Sequence, residues 1–294
     1  MVGKEEFKSI MEVANYNTIE LLKVHDIKAS KSMGQNFLID PNIPKKIVKS
    51  IGLDESQGVF EIGPGLGALT LELSSVAGHV VAVELDKHLV GILGNIFGEH
   101  ENVDIVQGDA LKVDIGKLVD EKLSGRKLHV CANLPYNITT PVITRLLELG
   151  LFESLTVMIQ KEVAERICAK AGSAEYGSFT VFANYYTQPE MLFDVSPDCF
   201  YPRPKVTSTV IRLKTKAERG LSAEKEKMFF KVVKAAFGQR RKTLVNALHA
   251  VFGNSYGKEE IATIVSNCGY DTRIRGERLN LEEFMALAEH FGAK

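Results

Sequence analysis

The chain has 294 residues, of which 45% are hydrophobic and 25% are charged, with 36 basic and 37 acidic side chains. This composition is typical of a globular protein and excludes a disordered or fibrous one. Neither a membrane-spanning apolar stretch nor the apolar core of a signal peptide occurs, so we expect a cytoplasmic protein.

Short β-branched runs alternate with helix-like stretches between Gly58 and Leu213. The candidate strands are 59–63, 79–85, 103–107, 127–133, 155–160, 190–195 and 208–213. This alternation predicts an α/β fold with a seven-stranded, mostly parallel sheet that has helices on both faces. A Pro-rich loop without a helix joins the last two strands, so we expect one reversed strand at that edge of the sheet.

The pattern divides the chain into three predicted domains. Residues 1–30 contain one amphipathic stretch and form an N-terminal helical extension, residues 31–214 form the α/β domain, and residues 215–294 form a small all-α domain. All nine prolines lie at or before Pro204. Four stretches with helical spacing of apolar residues follow, at 228–237, 242–252, 259–269 and 281–291.

Polar or glycine residues follow three successive strands of the predicted sheet. The first strand runs into a glycine loop that begins at Gly63, Glu84 ends the second strand, and Asp109 follows the third. Ligands of such sheets bind beyond the carboxyl ends of the strands. Each residue alone is also explained as a turn glycine, a surface carboxylate or a helix cap. Their co-occurrence favours a cofactor that contains adenosine, with Glu84 on the ribose hydroxyls.

The fourth strand runs into Asn133, Leu134, Pro135 and Tyr136. The exocyclic amine of a nucleobase is a poor nucleophile, since its lone pair is delocalised into the ring. The Asn133 side-chain oxygen and a backbone carbonyl held by the proline can accept both N–H groups and direct the lone pair at a methyl donor. Tyr136 would stack on the base, which contributes about 1–3 kcal/mol. The alternative is a strand that ends in an ordinary Asn-rich turn, with Tyr136 in the core.

Ten motifs together resemble one family, the bacterial small-subunit rRNA adenine N6,N6-dimethyltransferases (the KsgA/RsmA family). The resemblance covers the chain from about residue 17 to its end. The motifs include KSMGQNFLID, VFEIGPGLGALT, AVELD, GDAL, ANLPYNITTP, FYPRPKVTSTVIRL and FGQRRKTLVNAL. It implies a class I, Rossmann-like methyltransferase that uses S-adenosyl-L-methionine and releases S-adenosyl-L-homocysteine. The substrate that the resemblance implies is a pair of adjacent adenosines in the 3′-terminal hairpin loop of 16S rRNA, within the small (30S) subunit. The family is also associated with biogenesis of that subunit.

The resemblance also assigns residues. It implies that the cofactor is contacted by Asn36, Leu38, Gly63, Glu84, Asp109 and Asn133, with the segment GQNFL as a lid. It implies that the target adenine lies between Tyr136 and Phe200, although Phe200 is equally explained as a hydrophobic plug of the last hairpin. Phosphate contacts are expected from Arg203, Lys205, Arg240, Arg241 and Lys242, although basic clusters are more often solvated helix faces.

Three other functions compete with this one. The resistance methyltransferases of large-subunit rRNA share the glycine loop and the Asn-Leu-Pro-Tyr motif, but the tail favours the small-subunit enzyme. An NAD-dependent dehydrogenase would explain only the glycine loop. A non-catalytic assembly factor would leave Asn133 and Tyr136 without a role. The four cysteines and seven histidines show no metal-binding spacing, so we expect no metal, and nothing in the pattern demands more than a monomer.

Overall fold

The computed structural model of the chain describes residues 17–30, 33–239 and 241–292. Up to the sixth strand, the elements are α1 (Thr18–Val24), β1 (Phe37–Leu38), α2 (Asn42–Ile51), β2 (Gln57–Ile62), α3 (Ala68–Ser74), β3 (His79–Glu84), α4 (Lys87–Phe97), β4 (Val103–Gln107), α5 (Ile115–Lys122), β5 (Lys127–Asn133), α6 (Thr139–Leu149) and β6 (Ser154–Gln160). They are followed by α7 (Lys161–Ile167), α8 (Ser178–Tyr186), β7 (Thr187–Val195), β8 (Phe200–Tyr201), β9 (Ser208–Thr215), α9 (Ala223–Gly238), α10 (Leu244–Phe252), α11 (Lys258–Asn267) and α12 (Leu281–Ala288). Among these residues, no helix is long and apolar enough to cross a membrane.

Seven strands form the main sheet, in the order β4-β3-β2-β5-β6-β9-β7. The pairs from β4 to β6 are parallel, whereas β9 runs antiparallel to β6. The predicted seven-stranded, mostly parallel sheet with one reversed strand is therefore confirmed. Between β2 and β5 the chain switches from one half of the sheet to the other, and a ligand crevice is expected at the carboxyl ends of these strands.

Both faces of the central strands are covered. Val59 and Phe60 on β2 are fully buried, as are Val80 and Val81 on β3. Since neighbouring side chains on a strand point to opposite faces, helices must cover the sheet on both sides. Residues of α2 and α3 pack in the hydrophobic cluster that contains Val59 and Val80.

The contacts divide the chain into two compact units. The first contains residues 1–164 and 190–215, and the second contains residues 165–189 and 216–294, in each case as far as the structure describes them. The four helices expected near the end of the chain are present as α9 to α12. The division into three domains with separate functions stays a prediction.

The second unit includes residues 165–189, which the sequence analysis placed with the α/β domain. An aromatic cluster explains this packing. The Tyr185 and Phe229 rings lie 5.1 Å apart, and the Tyr186 and Phe230 rings are stacked at 5.9 Å. Both tyrosine hydroxyls donate hydrogen bonds to the Glu226 carboxylate, at 3.0 and 2.7 Å. Helix α8 is thereby held against α9.

Candidate active site

A cavity of about 240 Å³ lies at the carboxyl ends of β2, β3 and β5. All the residues predicted to bind the cofactor line it, namely Asn36, Leu38, Gly63, Glu84, Asp109 and Asn133. Leu134, Pro135 and Tyr136 of the predicted catalytic motif line it as well. The structure therefore brings these two sets of residues together in one cavity, and their individual roles stay predictions.

The glycine loop after β2 requires glycine at three positions. Gly63, Gly65 and Gly67 have φ values of +65°, +62° and +90°, a region that L side chains rarely adopt. A Cβ atom on Gly67 would also lie 2.6 Å from the Phe97 ring. The loop can thus approach both a ligand and helix α4 closely, which larger residues would prevent.

Glu84 at the end of β3 is held by two backbone N–H groups. Gly65 donates to Oε2 at 3.2 Å and Asp86 donates to Oε1 at 2.9 Å. The side chain is buried, and this burial raises the pKa of its carboxyl group, while the two N–H bonds act in the opposite direction. The contacts fix both carboxylate oxygens at the cavity wall, where they can accept further hydrogen bonds.

Glu61 is a second buried carboxylate in the cavity, which the sequence analysis missed. It is 1% exposed, and its Oε2 atom has no hydrogen-bond partner among the described residues. Burial, and then the nearby Glu84 carboxylate, raise the pKa of Glu61 to about 8. An acidic residue inside the otherwise apolar strand VFEI was the feature that could have revealed it.

Asp109, at the rim of the cavity, is held as a carboxylate. Its Oδ1 atom accepts from the Leu111 N–H at 2.9 Å, and its Oδ2 atom lies 3.2 Å from the Lys112 ammonium. The Leu111 hydrogen bond is the main cause that lowers the pKa of Asp109. Asp109 therefore caps the local turn, in line with the alternative explanation as a cap that the sequence analysis offered. It also lines the cavity.

The Asn133 side chain has a defined orientation. Its Nδ2 atom donates to the backbone carbonyl of Asn36 at 3.1 Å. Since a carbonyl oxygen can only accept, this contact determines which end of the amide faces Asn36. The Oδ1 atom of Asn133 is thereby left as the acceptor that the side chain can offer to a ligand.

The backbone carbonyl groups of Leu134 and Pro135 differ in their hydrogen-bond partners. The Pro135 oxygen accepts from the Ile138 N–H and from the Thr139 hydroxyl, both at 3.1 Å. Within the described residues, the Leu134 carbonyl oxygen has no such hydrogen bond. Leu134 as a whole is 1% exposed, and it lines the cavity.

Tyr136 is half-buried and pinned through its hydroxyl. The hydroxyl forms a hydrogen bond of 2.7 Å with the Ser208 hydroxyl on β9. Burial raises the pKa of Tyr136, so it is a neutral phenol at physiological pH. Its ring is therefore neither in the core nor free to rotate, and it lines the cavity.

Phe200, the other predicted stacking residue, does not line the cavity. It is 2% exposed and packs with Leu38, Met158 and Val210 in a hydrophobic cluster. Leu38 and Met158 themselves line the cavity, so Phe200 lies one layer behind its wall. This placement corresponds to the hydrophobic plug named as the alternative, and stacking by Phe200 stays a prediction.

The predicted lid is attached on both sides. Strands β1 and β8 form a two-stranded antiparallel ribbon, in which Phe37 pairs with Tyr201 and Leu38 with Phe200. On the other side, the Gln35 Nε2 atom donates to the Asp86 carboxylate at 3.2 Å. These two short strands were not predicted, because two residues are too few to show an alternating pattern.

The basic residues proposed for RNA are exposed where the structure describes them. Arg203 lies 3.1 Å from the Asp198 carboxylate, and Lys205 follows it in the first unit. Arg241 and Lys242 lie in the turn before α10, in the second unit. Arg240 lies outside the described residues.

The chain resembles known proteins over most of its length. The family described as Ribosomal RNA adenine dimethylase matches residues 26–282. The chain is 44% identical over 278 residues to ribosomal RNA small subunit methyltransferase A of Alkaliphilus oremlandii, across 94% of this chain and 96% of that protein. It is 43% identical over 284 residues to the protein of the same name from Shouchella clausii, across 96% of this chain and 95% of that protein.

Two solved structures share the fold. A dimethyladenosine transferase from Plasmodium falciparum has a TM-score of 0.72 at 24% identity, over 85% of this chain and 95% of that one. The 23S rRNA methyltransferase ErmE has a TM-score of 0.66 at 24% identity, over 86% of this chain and 98% of that one. Because the family match spans most of the chain and relatives above 40% identity cover nearly all of it, the chain belongs to the ribosomal RNA adenine dimethylase family.

Proposed function

We propose that this enzyme dimethylates the N6 amines of two adjacent adenosines in the 3′-terminal hairpin loop of 16S rRNA, within the small ribosomal subunit. The methyl donor is S-adenosyl-L-methionine, and the product is S-adenosyl-L-homocysteine. The reaction would take place in the cytoplasm, where bacterial subunits assemble, and the enzyme would thereby contribute to biogenesis of the subunit. Family membership and the names of the relatives support this substrate.

The orientation of the Asn133 amide carries the proposal. Its Nδ2 atom is occupied by the Asn36 carbonyl, so Oδ1 remains to accept one N–H of the adenine amine. The Leu134 carbonyl is the second acceptor, since the Pro135 carbonyl already accepts two hydrogen bonds. Two acceptors hold both N–H groups of the amine, which weakens the conjugation of the nitrogen with the ring and directs its lone pair at the methyl donor.

The cavity residues fit the proposed methyl donor. Glu84 offers two fixed carboxylate oxygens to the ribose hydroxyls, and Asp109 lies at the rim for the adenine. Glu61 has an unpartnered buried oxygen, which matches the ammonium of an amino-acid moiety. Asn36 and Leu38 would cover the group from the lid, and Gly63 would face it with its backbone. When bound, S-adenosyl-L-methionine supplies an electrophilic methyl group on a sulfonium.

The protein acts on the target base by positioning. Tyr136 offers one stacking face in the cavity, held by its hydrogen bond to Ser208. Phe200 would complete the slot if it left the cluster behind Leu38. No general base is needed before attack, because the amine can lose its proton after the transfer. Catalysis then depends on orientation of the amine against the methyl group. Bringing two reactants into the reactive geometry accounts for a large part of the activation free energy.

Recognition of the RNA would rest on phosphate contacts and shape. Loop adenosines are unpaired or weakly paired, so little energy is spent on extruding them. We assign phosphate contacts to Arg203, Lys205, Arg240, Arg241 and Lys242. Such contacts make the affinity fall steeply with salt.

The test is transfer of radiolabelled methyl groups from S-adenosyl-L-methionine to unmethylated small subunits and, separately, to large-subunit RNA, followed by nucleoside analysis. We expect N6,N6-dimethyladenosine in the small subunit alone. Label confined to large-subunit RNA would instead identify a resistance methyltransferase. Binding to the small subunit without any label would identify an assembly factor and refute the catalytic proposal.

A further inference from the structure

Tyr201 is an exposed aromatic residue beside the cavity. It is 52% exposed, although the preceding Phe200 is 2% exposed. The contrast follows from strand geometry, since successive side chains on β8 point to opposite faces. Phe200 faces the hydrophobic cluster, so Tyr201 faces away from it.

The pairing partner of Tyr201 shows which way it faces. Tyr201 lies directly opposite Phe37 in the β1–β8 ribbon. Side chains of directly opposed residues stand on the same face of a ribbon, about 4.5–5.5 Å apart at their Cβ atoms. Phe37 lines the cavity, and Tyr201 does not. Tyr201 is therefore next to the cavity wall but outside the space that the target base would enter.

The segment that carries Tyr201 is anchored at both ends. Before it, the Cys199 carbonyl accepts from the Ile39 N–H at 2.8 Å. After it, the Thr207 carbonyl accepts from the Lys161 N–H at 3.0 Å. The next residue, Ser208, holds the hydroxyl of Tyr136. An aromatic ring on an anchored segment loses little conformational freedom when it binds a ligand.

The chemistry of the segment fits single-stranded nucleic acid. Residues 201–206 read Tyr-Pro-Arg-Pro-Lys-Val and contain no acidic residue. Tyr201, Arg203 and Lys205 are all exposed. Aromatic rings interleaved with basic side chains bind unpaired bases by stacking and their phosphates by charge.

We propose that Tyr201 stacks on the RNA base adjacent to the one held in the cavity. This inference rests on the proposed function, in which the two target adenosines are neighbours. While Tyr136 receives one adenine, Tyr201 holds the other outside the cavity. The enzyme thereby contacts both target bases at once and distinguishes an adjacent pair from a single adenosine.

The test measures binding of the full chain to unmethylated small subunits in a filter assay, without methyl transfer. The variants are Tyr201→Ala, Tyr201→Phe and the control Met191→Ala, which alters another exposed apolar side chain of the first unit, 41% exposed on β7. We expect the alanine variant at Tyr201 to bind roughly tenfold more weakly, since stacking is lost. The phenylalanine variant and the control should bind like the unaltered chain. The dependence on salt should keep its slope in all of them, because stacking involves no ion release.

Three results would overturn the inference. Tyr201→Ala could bind as tightly as the unaltered chain, or Tyr201→Phe could be as weak as Tyr201→Ala, which would indicate a hydroxyl contact. A parallel fall in S-adenosyl-L-methionine affinity, measured by calorimetry, would indicate a distorted lid instead. The proposed function is judged separately by methyl transfer with the unaltered chain. If that chain binds subunits but methylates no adenosine, the function fails while the binding comparison still decides the role of Tyr201.

Discussion

The side-chain amide of Asn133 donates a hydrogen bond from Nδ2 to the backbone carbonyl of Asn36, 97 positions earlier in the chain. This contact joins the end of strand β5 to the lid segment. It also determines that the Oδ1 atom is the end of the amide available to a substrate. The same hydrogen bond thus couples lid position to the orientation of the proposed catalytic acceptor.

Replacement of this amide tests its role directly. Asn133→Ala removes the acceptor for the adenine amine, and we expect single-turnover methyl transfer to fall by about 10²–10³-fold, as for the loss of one preorganised transition-state contact. Affinity for the small subunit should change little. The matched control is Asn95→Ala, at an exposed asparagine on α4. Substantial turnover by the Asn133 variant would refute the proposed role of the amide.

Glu61 predicts an unusual dependence of stability on pH. The unfolded chain releases this proton near pH 4.5, whereas the folded protein, with a pKa of about 8, retains it. Folded-state stability therefore falls as the pH rises from about 4.5 to 8. Glu61→Gln removes this penalty, and we expect a gain of about 3 kcal/mol in the free energy of unfolding at pH 7.

The pH dependence of that gain is the decisive observation. Urea unfolding at pH 4.5 should show almost no difference between the Glu61→Gln variant and the unaltered chain, and the difference should grow toward pH 8. The exposed Glu101 supplies the control, since Glu101→Gln should have no such effect. An equal gain at both pH values would contradict the assignment.

Two glycines with opposite environments predict opposite effects on stability. Gly67 has φ +90°, and a Cβ atom there would lie 2.6 Å from the Phe97 ring, so Gly67→Ala should destabilise the protein by about 1–3 kcal/mol. Gly91 lies within helix α4 with open space around its Cβ position. Gly91→Ala should stabilise the protein by up to about 1 kcal/mol. Denaturant midpoints measured by circular dichroism would expose an error in either sign.

Arg241 and Lys242 predict a salt-dependent contribution to RNA affinity. Arg241→Glu and Lys242→Glu should each weaken binding to the small subunit and reduce the slope of log affinity against log salt by about 1. Methyl transfer at saturating subunit concentration should be largely preserved. Lys258→Glu makes the same change of charge at an exposed lysine outside the basic cluster. An unchanged slope for Arg241→Glu would exclude a phosphate contact by that residue.

Much of the fold was predictable because its determinants are local. Alternating β-branched runs and helical spacers specify a parallel sheet, and the Pro-rich loop specifies the reversed strand β9. The meeting of Gly63, Glu84 and Asp109 at one cavity was also predictable, because the carboxyl ends of parallel strands lie at one edge of the sheet. Asn36 and Leu38 were expected only from the family resemblance, and the binding roles of all these residues stay predictions. The packing of residues 165–189 was not, since it depends on aromatic contacts between Tyr185 and Phe229 across more than 40 positions of the chain.

The sequence by itself determined the sheet, the glycine loop and the family to which the chain belongs. The tertiary structure decided which atoms and which rings are available at the site. The β1–β8 pairing buries Phe200 and exposes Tyr201, although both are aromatic neighbours in one motif. Tertiary packing buries the Glu61 Oε2 atom without a hydrogen-bond partner among the described residues, and a long-range contact orients Asn133. The physical reason is that a residue type sets what a side chain can do, whereas its burial and partners depend on segments far away in the chain.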